Sequence, residues 1–380
     1  MRICMIMSTP LPPREGIGFY VWNLSRYLVD LGHQVQIITR GRAGTLDREV
    51  VDGIPIWRPP FLPLYPFHVH FHSIFVNKLV KRLAPTADLL HLHTPLVKCP
   101  RTENPVIVTV HSPMKADTRT TPIGNLMGLL IHLQGPVSYR LEQELFTRAN
   151  KLATVARQVA EDLRLYRIDR RQVHVLGNGV DTRLFSPSSC DPNKDTPYFL
   201  TVARLAPGKG LEDLIRCAAH VVRHHPSYRF LIAGAGPLEG ELREAIARGG
   251  LQDAVVLLGH IGDRDRLVNL YRGATAYVHP SHHEGLPTVL LEAMACGRPV
   301  VTTAVGGALD IVQHERNGLL VPPKRPRHMA GAIMRLLQTP DFAKELGAAA
   351  VQTIESRYSW EIVSRNYLAQ YESLVEGAQS

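Results

Sequence analysis

At 380 residues the chain is long enough for two domains of ordinary size. Hydrophobic residues make up 45% and charged residues 20%, a globular composition, and no apolar run reaches the roughly 18 residues that a membrane span needs. The formal net charge of +9 is confined to one half: residues 1–176 carry 22 Lys and Arg against 13 Asp and Glu, whereas residues 177–380 carry 21 of each. Such a half favours an anionic partner: an acidic lipid surface, a phosphorylated acceptor or nucleic acid. Nucleic acid is set aside, because no binding motif accompanies the charge. The five cysteines (Cys4, Cys99, Cys190, Cys217, Cys296) are scattered, odd in number and without metal spacing, which fits a reducing cytosol. The N-terminus M-R-I-C-M-I-M reads as a buried strand rather than a signal peptide.

Short apolar strands alternate with helical patterns, which predicts parallel α/β units. Arg2–Met7 reads as a strand, followed by a Pro-rich loop, Ser8–Ile17. Gly18–Leu31 has apolar residues at helical spacing, Gly32 ends it, and Val35–Thr39 is the next strand. That is one right-handed unit of a Rossmann-like sheet. Strands follow at Leu89–His93, Pro105–Val110, Lys151–Val155 and Val173–Leu176. The turn Asn178–Asp181 and the stretch Ser186–Thr196, rich in Pro, Ser and Asp, mark a boundary. The first domain is therefore 1–177 and the linker 178–197. A second series begins at Tyr198–Ala203 and continues with Arg229–Ala233, Val255–Leu258, Ala276–His279 and Pro299–Thr303. This domain, 198–359, precedes a last helix, about Trp360–Leu374, expected to cross back so that 360–380 joins the first. The fold class is α/β: two doubly wound, Rossmann-like domains facing across a deep cleft at the carboxyl ends of their sheets.

The stretch His282–Gly307 is the most informative. Glu284 and Glu292 stand eight residues apart, with Gly285, Leu286, Pro287 and Thr288 next to Glu284 and an apolar run leading to Glu292. Pro287 suits the first turn of a helix and Gly297 its stop. Glu284 then lies on the loop before a helix and Glu292 more than a turn inside it. A helix N-terminus attracts phosphate, so two acceptors for sugar hydroxyls would sit beside a donor cradle for a diphosphate. Chance pairs of Glu on solvated helix faces are common, but Glu292 falls within V-L-L-E-A-M-A-C, where an unpaired carboxylate is costly to bury.

Arg204-Leu205-Ala206-Pro207-Gly208-Lys209-Gly210 follows the first strand of the second domain, where phosphate binds in such sheets. Arg204 can grip phosphate oxygens bidentately and Lys209 adds a point charge, enough for a diphosphate without a metal. The bland alternative is two solvated cations on a loop. Gly234 and Gly236 follow the next strand, and Gly259-His260-Ile261-Gly262 another; both loops admit a ligand to the backbone, and Ile261 could read a base edge. Gly16 and Gly18 open the first helix without the third glycine of a dinucleotide fingerprint. His111 ends a strand at the expected cleft, whereas His91 and His93 read as structural.

Three patterns are set aside. Asp263-Arg264-Asp265 has a metal-binding form but precedes a helix, where Asp is the usual cap. His68, His70 and His72 alternate, but no carboxylate or cysteine completes a metal site; they open an amphipathic segment, Phe61–Leu83, which could dock internally or lie on a membrane. Ser281 and His282 are adjacent, which rarely aligns a nucleophile with its base.

Taken in order, the G-I-G loop, the T-V-H strand end at His111, N-G-V-D at Asn178, R-L-x-x-x-K-G at Arg204, G-A-G-P at Gly234, E-G-L-P-x-x-x-x-E at Glu284, V-G-G at Val305 and Y-S-W-E at Tyr358 resemble glycosyltransferase family 4, retaining enzymes of GT-B fold, over nearly the whole chain. The resemblance extends to the lipid-acceptor, phosphatidylinositol-glycan-like branch, whose members use a basic first domain. It implies catalytic roles for His111, Glu284, Arg204 and Lys209. Arg204 and Lys209 would bind the donor diphosphate, Glu292 the ribose, and Glu284 with the backbone of Gly285, Leu286, Pro287 and Thr288 the sugar. His111 would contact the sugar near the reacting carbon, and Gly16 and Gly18 would shape the donor and acceptor side. It implies a UDP-sugar as donor, no cofactor, no metal, and a lipid or glycan acceptor at the anionic cytoplasmic face of a membrane. The chain departs from the family at Arg157, where a Ser is common. A nucleotide-sugar epimerase and a catalytically inactive nucleotide-sugar-binding subunit are the alternatives.

Overall fold

The computed structural model describes residues 1–13, 16–41, 44–62, 64, 68–94, 98–120, 126–188 and 196–379. They form two compact units, Met1–Asn178 with Val363–Ser380, and Gly179–Ile362. Residues 189–195 of the expected linker, with Cys190, lie outside the described residues, as do residues 63 and 65–67 of the amphipathic segment and the side chains of His68 and His70. No described helix is long and apolar enough to cross a membrane.

The first unit is built on eight strands: β1 (Arg2–Ile6), β2 (Gln34–Ile38), β3 (Asp47–Val51), β4 (Ile54–Arg58), β5 (Leu89–His93), β6 (Val106–Val110), β7 (Lys151–Thr154) and β8 (Val173–Val175). Their order in the sheet is β3-β4-β2-β1-β5-β6-β7-β8, parallel apart from the β3–β4 pair. The direction of winding reverses between β1 and β5, the switch point where open α/β sheets bind ligands at the carboxyl ends of their strands. Residues 40–60 carry no element in a strictly alternating α/β pattern. The structure places a hairpin there, turned by Asp52 and Gly53, both at positive φ (49° and 77°). An Asp-Gly pair favours that turn, because its twist matches the flanking strands.

Strands β5 and β6 are buried along their whole length, as expected for parallel strands covered on both faces. His91 and His93 therefore share one face of β5 by its period of two, and both are sealed from solvent. The first helix, Gly16–Asp30, begins two residues earlier than its apolar spacing suggests, so Gly16 and Gly18 lie in its first turn. The last helix, Trp360–Gln379, buries Tyr367 and Tyr371 in the first unit.

The second unit holds β9 (Tyr198–Val202), β10 (Arg229–Ala233), β11 (Val255–Gly259), β12 (Ala276–His279), β13 (Val300–Thr303) and β14 (Leu319–Val321), all parallel, in the order β11-β10-β9-β12-β13-β14. Here the winding reverses between β9 and β12. Alternation along β9 sends Phe199 to one hydrophobic layer, with Leu214, Phe230 and Met329, and Leu200 to the other, with Tyr277, Leu290 and Met294. Each such side chain stabilises the fold by about 1.5–3 kcal/mol. The short strand β14 is the element that periodicity passes over, since three residues carry no period.

Near the two ends of this unit, chain segments pair with each other. Val180 N donates to Tyr358 O (2.8 Å) and Trp360 N donates to Val180 O (3.1 Å). The Trp360 indole covers Gly179 so closely that a Cβ there would lie 2.4 Å from Cδ2. Gly179→Ala should therefore lower the stability of this unit by about 1–3 kcal/mol, read as a shift in the midpoint of urea unfolding. An unchanged midpoint would mean that the indole yields without cost.

Candidate functional site

The second unit concentrates the charged motifs at its reversal point. Strand β9 runs into the loop Ala203–Gly210, and β12 runs into the loop Pro280–Pro287. The two strands are hydrogen-bonded neighbours, so their loops emerge side by side. His282 N donates to Gly208 O (2.8 Å), which ties the loops together. Gly210 sits at φ 66°, and a Cβ there would fall 2.0 Å from Pro280 O. Only glycine meets both demands. The loops close in on each other because position 210 has no side chain.

This contact brings Lys209 to Glu284. Lys209 Nζ lies 2.6 Å from Glu284 Oε1, Ser281 Oγ donates to the same oxygen at 2.6 Å, and His279 Nε2 approaches it at 3.3 Å without hydrogen-bond alignment. Burial pushes the Glu284 carboxyl up, but the His279 imidazole and the Lys209 ammonium pull it down more strongly. We attribute the net effect mainly to Lys209, whose charge does not depend on protonating a buried imidazole. Glu284 is thus a fixed carboxylate, held well below the usual carboxylate range. All three partners crowd Oε1, and Oε2 has no hydrogen-bond partner among the described residues. Gly306 and Gly307 brace the loop from behind: Gly307 N donates to Gly285 O (2.7 Å), and a Cβ on Gly306, at φ 47°, would overlap Glu284 O.

Arg204 leaves the same β9 loop, is exposed, and makes no ion pair with any described residue. Lys209 is committed to Glu284 yet keeps two further N–H donors. Next to them begins the helix Thr288–Ala295, whose first N–H groups lack intrahelical partners. Pro287 caps it in an extended conformation (φ −75°, ψ 105°), one place earlier than the first helical turn to which its missing N–H is suited. Glu292 sits inside this helix. Tyr271 donates to its Oε2 at 2.8 Å, and burial, partly offset by that bond and by the Arg264 charge, raises the carboxyl to about 7.

Gly234 and Gly236 have a structural cause. A Cβ on either would overlap the backbone of the β9 loop, at Ala203 O and Leu205 O. Their loop is thereby pressed against the one that carries Arg204. Ile261 is partly buried on the loop between β11 and the helix Arg264–Gly273, the helix that supplies Tyr271. Asp263 caps that helix, accepting from Asp265 N and Arg266 N, which accounts for the D-x-D pattern. Ser281 and His282 serve different carboxylates, Glu284 and Asp213, and so are not a nucleophile pair.

In the first unit Gly18 packs against Pro13 (3.4 Å from a would-be Cβ to Cα), whereas Gly16 is exposed with open space around it. His111 follows β6. Its backbone N–H donates to Thr94 Oγ1 (3.2 Å), its Nε2 lies 3.3 Å from His93 Nδ1, and burial pushes its pKa down to about 3, so the imidazole is neutral. The sequence pattern missed Tyr271 and His279, weighed Ser281 only as a nucleophile, and read His93 as structural. None belongs to a recognisable spacing; each is a neighbour only in the folded sheet.

Comparison with known proteins gives the family and the fold. Residues 14–184 match the family described as Glycosyltransferase Family 4, and residues 185–353 the one described as Glycosyl transferases group 1. The D-inositol 3-phosphate glycosyltransferase of Acidothermus cellulolyticus is 30% identical, over 94% of this chain and 85% of that one. The fold is that of sucrose-phosphate synthase from Thermosynechococcus elongatus (TM-score 0.80, 22% identity, 99% of this chain and 100% of that one). It is shared with the Anabaena protein HepE, solved in complex with UDP-glucose (TM-score 0.74, 18% identity, 98% and 100%). The architecture is GT-B, two parallel-sheet α/β domains. The chain belongs to the family 4 glycosyltransferases.

One consequence is measurable without substrate. An unfolded Glu titrates near 4.3, and Glu292 in the fold at about 7. Its contribution to stability is fully present below the unfolded value, where it is neutral in both states, and is lost as pH rises through 7. Glu292→Gln removes that loss. Its melting temperature should rise relative to the parent protein between pH 5 and 7 and then level off, as read by scanning calorimetry. A difference that stays constant over this range would contradict the raised pKa.

Proposed function

We propose that this glycosyltransferase moves a sugar from a nucleoside diphosphate donor, a UDP-sugar, to an acceptor hydroxyl with retention at the anomeric carbon and without a metal. The observation that carries the proposal is the Lys209–Glu284 ion pair standing at the sheet's reversal point beside Arg204, which pairs with no described residue. HepE, which shares the fold, was solved with UDP-glucose.

The chemical problem is a diphosphate whose charge grows as the glycosidic bond breaks. Arg204, the two spare N–H donors of Lys209 and the N–H groups before Val289 answer it with charge that needs no rearrangement, usually the main source of rate enhancement in such catalysis. Glu284 Oε2 accepts from a sugar hydroxyl, and Glu292 accepts from the ribose. His111, a neutral imidazole, contacts the sugar near the reacting carbon. The departing phosphate oxygen takes the acceptor proton on the face that it leaves, which gives retention. Glu284, held ionised, positions and does not protonate. With Glu284 ionised beside the sugar and Glu292 assigned to the ribose, this reading favours transfer over epimerisation, which needs carboxyls poised for acid and base work beside the anomeric carbon.

The finer reading of the acceptor is a hydroxyl on a lipid or lipid-linked glycan at an anionic surface. Support comes from the basic excess in residues 1–176 and from the helix His68–Leu83. One stripe of that helix exposes Phe71 and Ile74 together with Lys78, Lys81 and Arg82. Vesicles rich in anionic lipid should sediment the protein at low salt and release it at high salt; no binding at low salt would remove the membrane from the account.

Arg204→Ala should lower kcat at saturating donor by about 100-fold or more, the effect of losing one preorganised donor to developing charge. Turnover is read as UDP released only when acceptor is added, and proton NMR of the product should report retained anomeric configuration. Undiminished kcat would contradict the phosphate role of Arg204, and donor binding without transfer across a broad acceptor panel would favour an inactive binding subunit.

A further inference from the structure

The interior of the first unit contains a buried polar assembly outside the proposed donor cradle. His91, at the middle of β5, is bonded through both ring nitrogens: Nδ1 lies 2.7 Å from Tyr371 Oη and Nε2 lies 2.7 Å from Thr109 Oγ1. Thr109 Oγ1 is 2.8 Å from Tyr367 Oη, Tyr367 Oη is 2.7 Å from Tyr20 Oη, and Tyr20 Oη is 3.1 Å from Gly177 O. Every side chain in this series is buried. Each hydroxyl has a single proton, so the protons run one way along the chain. The Gly177 carbonyl can only accept, which draws the Tyr20 proton towards it and orders the rest behind. A closed chain of this kind holds its rings rigidly, and burying it without full pairing would be costly.

The assembly ends against His111. The Tyr20 ring meets the His111 ring edge-on (centroids 4.8 Å apart, 87°), and the His91 ring lies 4.0 Å from that of His93. His93 Nδ1 lies 3.3 Å from His111 Nε2, and His93 Nε2 is buried with no partner among the described residues. An orphaned N–H is rarer in proteins than an orphaned acceptor, so the His93 proton belongs on Nδ1, where it can be donated. His111 Nε2 then accepts, and a neutral His111 keeps its own proton on Nδ1, where it has no partner among the described residues.

We propose that His93, together with Tyr20 anchored by Tyr367 of the C-terminal helix, is a positioning residue that fixes the His111 imidazole in one orientation with its proton on Nδ1, ready to donate to an oxygen of the donor sugar. This rests on the proposed contact between His111 and that sugar. Neither His93 nor Tyr367 touches substrate; each acts through His111.

The test compares His111→Ala, His93→Leu, His93→Asn and Tyr367→Phe in the full-length protein. An Asn amide offers a donor where His93 Nδ1 stands, so His93→Asn should restore what His93→Leu removes. We expect His93→Leu and Tyr367→Phe to lower kcat about 10- to 100-fold, the effect of a modest misplacement, with UDP affinity by calorimetry unchanged and His93→Asn within a few-fold of the parent. Nitrogen-15 NMR of the His111 ring should show a single Nδ1–H form in the parent and in His93→Asn, and a mixture or the other form in His93→Leu. If His111→Ala slows transfer while Tyr367→Phe and His93→Leu do not, or if the His111 signals are unmoved by His93→Leu, the positioning role is wrong and the role of His111 stands. If His111→Ala leaves kcat unchanged, the underlying role of His111 fails instead. Should His93→Leu not fold, Tyr367→Phe, which loses one hydroxyl, decides by the same two readouts.

Discussion

Backbone touching backbone is the constraint on which the rest depends. At the carboxyl end of the second sheet the loops after β9 and β12 approach until the atoms of one occupy the space of a side chain on the other. Gly210 lies against Pro280 where those two loops meet, and Gly306 and Gly307, on the loop after β13, lie against Glu284 and Gly285. Nothing larger than hydrogen fits, and the reward is an ion pair between residues 75 positions apart, Lys209 and Glu284. A carboxylate this buried would otherwise neutralise or raise its pKa. The pair keeps it charged, and the pair exists because the loops can close.

The site that results differs from a collection of independent ligands. Lys209 is committed to Glu284, so the cation expected at a phosphate and the carboxylate expected at a sugar share one local field. Glu292 occupies the opposite electrostatic condition, bonded to a tyrosine hydroxyl and raised to about 7. Two carboxyls eight residues apart are thus shifted in opposite directions, Glu284 held ionised and Glu292 raised by burial, which the sequence spacing alone does not disclose. The first unit repeats the theme with neutral groups: His91, His93 and His111 are stripped of charge by burial and act through directed hydrogen bonds.

Much of this was legible in the amino-acid order. The parallel strands announce themselves because both their faces are buried, leaving unbroken apolar runs such as V-I-V-T-V at Val106–Val110. The Glu284 loop, the Glu292 helix and the Arg204 loop could be placed because glycine and proline mark their ends. What remained hidden has a common origin. The hairpin at residues 47–58 breaks the α/β alternation and shows only through Asp52-Gly53. Tyr271, Ser281 and Tyr367 find their partners through sheet order and helix packing, which no local period encodes. Gly234 and Gly236 read as an opening for a ligand, yet their nearest neighbours are the protein's own carbonyls.

On the proposed function, Arg204, Lys209, Glu284 and Glu292 together form one donor cradle. A crystal structure of the protein with UDP-glucose tests it most directly. The expected result is the diphosphate within hydrogen-bonding distance of Arg204 and Lys209, a sugar hydroxyl on Oε2 of Glu284, and the ribose on Glu292. A nucleotide bound elsewhere, with Arg204 still in solvent and the Lys209–Glu284 pair untouched, would contradict it.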